Sequence, residues 1–323
     1  MKVKQWITWG AAAVLTAAAL TGCGIGKKNV FKIDKEACTV SEAKVFLVNY
    51  QNQYADLYGV NLWESDQKEK LEVYIKNLTV TKLAEIYTMD LIAKDKGLTL
   101  TEAQMSQAED AAKEYYKTLN DAEKKYFGIS EKELTDLYER YAAAQMTYQS
   151  LTENIDQEVS DAEAQVMKAQ QIFVKSEDTA KKIKQQLDNG EDFAQLASSY
   201  NEAAKTDINL DKSQLEEENQ EDIFALKDNQ ISGITAEDNG YYIFRCVKSY
   251  DAELTEKNKE KVLKSRMEAA VNSTYDTYVK EADSRFNEEI WKNVELDTSG
   301  ELKTGSFFTV FEKYFGGENT LEE

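Results

Sequence analysis

The sequence predicts an α+β protein that is mainly helical and carries one small segment of strands. The 323 residues include no proline, so no helix is interrupted by a residue that lacks a backbone N–H. Apolar residues recur at helical spacing over most of the chain, whereas the apolar runs typical of strands lie within residues 166–250. A chain of this length is expected to form about two domains.

Residues 1–22 have the pattern of a secretory signal peptide. Lys2 and Lys4 precede a short apolar run that ends in Leu20-Thr21-Gly22-Cys23. These last four residues resemble a bacterial lipobox. The resemblance implies cleavage before Cys23, lipidation of its thiol and attachment to the extracytoplasmic face of the cell membrane. The less favoured alternatives are an uncleaved membrane helix and a signal followed by an incidental cysteine.

Residues 23–38 are predicted to form a polar tether, and residues 39–160 a helical region. A capping box, in which Ser or Thr is followed three positions later by Glu or Gln, marks the start of a helix. Glycine at the end of an apolar periodic run is typical of a helix end, which places one at Gly97. Capping boxes occur at Thr39-Val40-Ser41-Glu42, Thr101-Glu102-Ala103-Gln104 and Ser130-Glu131-Lys132-Glu133.

The segment 166–250 combines predicted strands and helices. A strand is expected at residues 169–175 and a helix at 177–187. The segment 189–200 is expected to turn into another helix, and the segment 239–247 to end as a second strand. In the second strand Tyr242, Phe244 and Cys246 share one face, because strand side chains alternate. The other face is also apolar, so this strand is predicted to be central in its sheet.

The order of these elements resembles a parvulin-type peptidyl-prolyl isomerase domain. The resemblance lies in Ala169-Gln170-Gln171-Ile172-Phe173, Asp192-Phe193-Ala194-Gln195-Leu196-Ala197 and Asn239-Gly240-Tyr241-Tyr242. The run at 91–102, a helix leading through a glycine into a capped helix, resembles the N-terminal region of PrsA/SurA-type extracytoplasmic foldases. The resemblance implies one helical chaperone body made of N- and C-terminal segments, into which the parvulin-like domain is inserted. A helix at 251–296 would return to that body; the alternative is two sequential domains with an independent C-terminal helix.

The resemblance also implies a site that is degenerate in this chain. Parvulins lower a barrier of about 18–20 kcal/mol by binding the twisted amide, with two histidines, an acidic or thiol group and an apolar proline pocket. This chain has no histidine, so we expect the domain to lack catalysis; an active isomerase with an unusual site is the alternative. The resemblance places the two histidine positions at Gln171 and Tyr242 and the acidic or thiol position near Ala203. It places the pocket at about Leu215, Asn219 and Phe224.

Charge and composition exclude several other classes of function. The formal net charge of −20 disfavours a nucleic-acid partner. Without histidine, a zinc site or a Ser/His/Asp set cannot be assembled. Asp207-x-Asn209-x-Asp211 has the spacing of a calcium loop, but Lys212 stands where a glycine is needed. We therefore predict no metal and no cofactor.

The predicted partners are unfolded or secreted polypeptides, as the resemblance implies. An envelope scaffold that binds no client is a further alternative.

The aromatic tail at 297–323 has three possible arrangements: docking on the body, docking on a second subunit in a homodimer, or neither. Cys38 and Cys246 do not suggest a disulfide framework, and a single bridge between them is the less favoured alternative. The helical tyrosines either fill the core, which we favour, or line a client cradle: Tyr115, Tyr116, Tyr126, Tyr138, Tyr141 and Tyr148.

Overall fold

The computed structural model describes residues 28–59, 68–297 and 299–316. The signal peptide and Cys23 lie outside the described residues. The chain divides into two compact units. The first unit holds the described residues up to Asn154 and those from Glu268 onward, and the second unit is Ile155–Met267. Helices and strands are both present, so the predicted α+β class is confirmed.

The elements are numbered in chain order. A short 3-10 helix, Lys212–Gln214, follows β4. The long helix α9 gives its residues up to Met267 to the second unit and the remainder to the first. The order is β1 Asn29–Ile33, β2 Glu36–Thr39, α1 Val40–Tyr58, α2 Lys68–Asp95, α3 Glu102–Thr118, α4 Asp121–Phe127, α5 Glu131–Thr152, β3 Val166–Val174, α6 Glu177–Asp188, α7 Phe193–Tyr200, β4 Asp207–Asp211, α8 Glu217–Phe224, β5 Thr235–Glu237, β6 Gly240–Lys248, α9 Ala252–Glu281, β7 Ser284–Phe286, α10 Glu288–Lys292 and α11 Phe307–Phe315.

The predicted capping boxes are confirmed. The Glu42 backbone N–H donates to the Thr39 hydroxyl at 3.2 Å, and the Thr39 N–H donates to the Glu42 carboxylate at 2.7 Å. Thr101 and Ser130 begin α3 and α5 in the same way. A fourth box, at Asn120, begins α4. An N-cap side chain of this kind stabilises its helix by about 1 kcal/mol. The predicted helix end is also confirmed, since α2 ends at Asp95 and Gly97, two residues later, has φ 70°.

The tether predicted at 23–38 is wrong from Asn29 onward, where the sheet of the first unit begins; residues 23–27 lie outside the described residues. From Asn29 the chain forms β1 and β2, and β1 pairs antiparallel with both β2 and β7. Val30, Phe31 and Cys38 are fully buried in the core. The lysines before Asn29 suggested a polar linker, but the burial of apolar side chains from these short strands decides the structure.

The C-terminal region at 251–296 is also corrected, because it is not one helix. Helix α9 ends at Glu281, and the chain then forms β7 and the short α10. The turn is fixed by Asp34, whose carboxylate accepts from the Asp283 N–H at 2.9 Å and from the Tyr278 hydroxyl at 2.8 Å. Pairing of β7 with β1 therefore overrides the helical periodicity of the sequence.

The aromatic tail is part of the core of the first unit. Phe307 and Phe308 of α11 are buried, and the Phe307 ring lies 4.4 Å from the ring of Tyr138. Of the three options left open for the tail, the structure shows docking on the body. Tyr115 and Tyr138 are fully buried beside it. The other tyrosines of that set are half-buried against the same core: Tyr116, Tyr126, Tyr141 and Tyr148.

The second unit is built on a four-stranded antiparallel sheet of order β4-β3-β6-β5. The central position predicted for β6 is confirmed. Ile243 packs on one face with residues of α6 and α7, and Phe244 packs on the other face with Leu210 and Leu215. Strand β4 was not predicted, and it occupies the residues with calcium-loop spacing.

Two further features concern the whole described chain. Its helices do not combine the length and apolar character needed to cross a bilayer. Cys38 and Cys246 are free, buried thiols rather than a disulfide pair. Burial raises the pKa of the Cys38 thiol well above its ordinary value, which keeps this thiol protonated and poorly reactive.

Candidate functional site

A cavity of about 390 Å³ opens on the second unit, over the sheet face that carries Phe244. It contains three of the six positions predicted for the degenerate isomerase site, namely Gln171, Leu215 and Tyr242. Ala203, Asn219 and Phe224 are not among its lining residues. The lining residues are Gln171, Ile208, Leu210, Gln214, Leu215, Glu216, Glu237, Asp238, Asn239, Tyr242 and Phe244.

The floor of the cavity comes from the two central strands. Gln171 of β3 is paired with Phe244 of β6, and Phe173 is paired with Tyr242. Gln171 and Tyr242 are therefore diagonal neighbours on one face, within reach of a shared ligand. The Tyr242 ring stacks on Phe244 with centroids 5.5 Å apart and planes 4° apart, and it lies 4.7 Å from Phe173. The result is an aromatic floor with two polar groups.

The two polar groups of the floor already have partners within the unit. The Gln171 side-chain N–H donates to the Lys205 carbonyl at 2.9 Å. The Tyr242 hydroxyl accepts from the Asn239 amide at 2.9 Å. A carboxamide has no proton that titrates near neutral pH. The pair can thus bind a peptide through hydrogen bonds, but it cannot supply the histidine pair of a parvulin.

The three predicted positions outside the cavity have structural contacts. The Ala203 N–H donates to the Asn201 side-chain oxygen at 3.2 Å in the turn before β4. The Asn219 amide donates to the Ala236 carbonyl at 2.7 Å and to the Glu237 carboxylate at 2.9 Å, so it positions a lining residue from behind. Phe224 packs against the core, and the Lys212 ammonium lies 5.8 Å from its ring centroid.

Three parts of the cavity wall were missed in the sequence: β4, the residues Gln214 and Glu216 on either side of the predicted Leu215, and the β5–β6 hairpin. The hairpin has a local signal, since Asp238-Asn239 is a two-residue loop of turn-forming residues before Gly240. Gly240 has φ 147°, and a Cβ there would lie 2.7 Å from the Phe173 ring and 2.8 Å from the Val174 carbonyl oxygen. This glycine lets the hairpin lie close to β3.

The cavity is negatively charged. Glu216, Glu237 and Asp238 line it, and none of the described lining residues is Lys or Arg. Glu237 accepts from the Glu216 N–H at 2.9 Å. In the part of the chain that the structure describes, the Glu216 and Asp238 carboxylates take part in no ion pair. At the end of β4, the Lys261 ammonium binds the Asp211 carboxylate at 2.9 Å.

The cavity has an aromatic floor, aliphatic walls and acidic side chains. Its described lining residues do not include a cysteine, serine or lysine. The ranges that the structure describes also contain no cluster of three or more acidic or cysteine side chains arranged to hold a metal ion.

Comparison with known proteins agrees with this geometry. Residues 129–258 match the family model of the PPIC-type PPIASE domain. The chain is 24% identical to foldase protein PrsA of Clostridium kluyveri over 278 residues, which cover 71% of this chain and 80% of that protein. It is 26% identical to foldase protein PrsA of Streptococcus gordonii over 329 residues, covering 97% and 96% of the two chains.

A solved structure shows a weaker similarity. The crystal structure of peptidylprolyl isomerase (PrsA) from Bacillus cereus is 17% identical, with a TM-score of 0.42, over 89% of this chain and 100% of that chain. The resemblance found in the sequence is confirmed: residues 129–258 are similar to the PPIC-type PPIASE domain, and the relatives that match over most of the chain are named PrsA foldases.

Proposed function

We propose that the protein is an extracytoplasmic foldase that binds unfolded secreted polypeptides and whose PPIC-type domain has become a binding module without turnover. The chaperone or foldase role is supported by the relatives named foldase protein PrsA. The loss of turnover rests on one observation: Gln171 and Tyr242 occupy the floor of the cavity where the resemblance implies histidines.

The physical argument concerns the difference between binding and catalysis. Isomerisation is accelerated only by groups that stabilise the twisted amide more than the planar one. The Gln171 side-chain N–H donates to the Lys205 carbonyl, and the Tyr242 hydroxyl is held by Asn239. The histidine pair that the resemblance implies is missing, although both side chains can still hydrogen-bond a peptide. The cavity retains its aromatic floor, so it retains affinity for extended peptide.

The first unit offers a second surface for clients. Four large apolar side chains near the end of α1 and the start of α2 are 50–70% exposed, and Tyr54 joins them through a ring contact with Tyr74 at 5.7 Å. Exposed apolar patches of this kind mark interaction sites in soluble proteins. We propose that this patch contacts unfolded chain: Leu57, Tyr58, Val73 and Tyr74.

Membrane attachment at Cys23 is part of the proposal and rests on the lipobox resemblance. Mass spectrometry of the wild type should show a diacylglyceryl group on residue 23, and the Cys23→Ala variant should lack it. An unmodified Cys23 in the membrane fraction would contradict the anchor while leaving the foldase proposal untouched.

The test uses the mature chain with Cys23→Ser, which keeps it soluble. We expect it to suppress aggregation of an unfolded secreted protein, and to leave the isomerisation rate of a proline tetrapeptide in a protease-coupled assay at the uncatalysed value. Clear turnover would show that Gln171 and Tyr242 support catalysis. No effect on aggregation would favour a scaffold.

A matched pair of variants assigns the client surface. Leu57→Ser/Val73→Ser removes two exposed apolar side chains from the patch, and Met105→Ser removes one from another part of the first unit, where Met105 is 41% exposed. We expect only the first variant to lose aggregation suppression. Equal loss in both variants would mean that general surface hydrophobicity, not the patch, holds the client.

A further inference from the structure

We infer that the cavity of the second unit binds the long basic side chain, lysine or arginine, of an extended client segment. This inference rests on the proposed function, because it names the chemistry of the client that the binding module selects. It is tested at the acidic rim of the cavity and uses the floor only as apolar surface, whereas the proposal of lost turnover concerns the polar groups of Gln171 and Tyr242.

The interior matches the apolar part of such a side chain. Stacked Tyr242 and Phe244 form the floor, and Ile208 and Leu210 of β4 form an aliphatic wall. Lysine and arginine carry three or four methylene groups that pack on apolar surface while the charged end stays near water. A volume of about 390 Å³ is within the range of small-ligand pockets, so one long side chain and its flanking backbone fit.

The rim matches the charged end. Glu216 is the N-cap residue of α8, and Asp238 lies in the loop of the β5–β6 hairpin, so the two carboxylates belong to separate elements of the cavity wall. Both lack a cationic partner among the described residues. Glu237 adds a third carboxylate that is fixed by Asn219 and by the Glu216 N–H. A bound cation would complete this arrangement.

The same charges disfavour other occupants. A neutral apolar side chain would bring the carboxylates closer to apolar surface without a counterion, which costs free energy. An acidic side chain would meet like charge. The cavity therefore discriminates by charge as well as by shape, and charged groups at a rim act mainly on selectivity.

The test measures peptide binding to the ¹⁵N-labelled mature chain by NMR titration. Three acetylated, amidated pentapeptides differ only in the central residue of an alanine background: lysine, norleucine, which keeps the stem without the charge, and glutamate. We expect the lysine peptide to bind about tenfold more tightly than the norleucine peptide at low salt. Its shifts should centre on the amides of Leu215 and Tyr242.

Two variants assign the preference to the rim. Glu216→Gln/Asp238→Asn removes two exposed carboxylates with little change of shape, and should bring the lysine and norleucine peptides within about twofold of each other. Asp178→Asn removes an exposed charge on α6, which packs on the opposite face of the sheet, and should keep the preference. Equal affinity of the wild type for both peptides, or equal loss in both variants, would overturn the inference.

Failure of the inference and failure of the proposed function give different results. If aggregation is suppressed but the lysine peptide has no advantage, the foldase stands and the inference is wrong. If the lysine preference is present but aggregation is not suppressed, the ligand class of the cavity stands and the foldase proposal is wrong. The comparison of the lysine and norleucine peptides uses the wild-type protein, so it does not depend on whether a variant folds.

Discussion

Tyr138 and Phe307 stack with ring centroids 4.4 Å apart and planes 13° apart, and the Tyr138 hydroxyl donates to the Phe307 carbonyl at 3.0 Å. The two residues are 169 positions apart in the chain. Helix α11 is thus tied to α5 by a ring contact and by a hydrogen bond at its own first turn. The C-terminal helix belongs to the core of the first unit.

Phe307→Ala tests this relationship. Phe307 is fully buried, and loss of a buried phenylalanine costs about 3–5 kcal/mol. We expect the free energy of unfolding of the first unit to fall by that amount, measured by tryptophan fluorescence in urea, since residues 155–267 contain no tryptophan. Phe315→Ala, at a half-buried position of the same helix, should cost clearly less. Equal losses of unfolding free energy in the two variants would mean that α11 does not bury one particular face in the core.

A buried amide links three elements of the same core. The Asn49 side chain donates to the Tyr115 hydroxyl at 2.8 Å and accepts from the Phe307 N–H at 3.0 Å. Asn49→Ala leaves buried polar groups without partners, and we expect a loss of about 1–3 kcal/mol in unfolding free energy.

A double-mutant cycle isolates the pair. Asn49→Ala with Tyr115→Phe should show a coupling of about 1 kcal/mol. The control cycle, Glu109→Ala with Lys113→Ala, breaks an exposed ion pair of 2.6 Å on α3 and should couple by less than about 0.5 kcal/mol. Additive single effects at Asn49 and Tyr115 would contradict the hydrogen bond.

Gly240→Ala should destabilise the hairpin beside the cavity. The positive φ and the close contacts of its added Cβ, which include the backbone oxygen of Val174, predict a loss of about 1–3 kcal/mol. Hydrogen exchange of peptides from β3 and β6 would report it as faster exchange. Gly233→Ala is the control, because no atom lies within 4 Å of the Cβ it would add. Unchanged exchange in Gly240→Ala would contradict the steric argument.

The acid sensitivity of the second unit should depend on Glu163. Its carboxylate accepts from the Ser160 N–H at 3.0 Å and hydroxyl at 2.8 Å and pairs with Arg266. The hydrogen bonds from Ser160, followed by that from Arg266, lower the pKa of Glu163 from 4.5 to about 2. A lowered carboxyl pKa stabilises the fold fully above 4.5, and this contribution disappears as the pH falls to about 2.

Glu163→Gln measures that contribution. The variant should be less stable than the wild type at pH 7, and the two should converge between pH 4.5 and pH 2, the window set by the two pKa values. Unfolding of the second unit is followed by circular dichroism. Tryptophan fluorescence does not report it, because residues 155–267 contain no tryptophan. Glu260→Gln, on an exposed face of α9, should show no such convergence. A difference that is the same at pH 7 and pH 2.5 would contradict the assignment.

Local signals in the sequence predicted much of the helical structure. Thr39, Thr101 and Ser130 set helix starts through contacts three residues away, and Gly97 ends a helix by its own backbone conformation. Such signals can be read without knowing the rest of the fold. The Asn120 box was missed only because asparagine replaces serine or threonine at the N-cap.

Non-local pairing could not be predicted in the same way. Strand β1 has five residues and acquires its neighbour β7 only from the far end of the chain. Strand β4 has the sequence DINLD, which resembles a polar loop until Leu210 is buried against the sheet. For the same reason the sequence placed Gln171, Leu215 and Tyr242 in the cavity but not the walls that β4 and the hairpin provide.

The pairing of Phe31 with Phe286 has a consequence for synthesis and export. A chain that emerges from its N-terminus presents β1 long before β7 exists, while the second unit, Ile155–Met267, is complete in one continuous stretch. The second unit can therefore acquire its structure during emergence, as domains generally do. The first unit must wait with an apolar surface uncovered, so a protein proposed to protect other chains is itself exposed to aggregation until its last residues arrive.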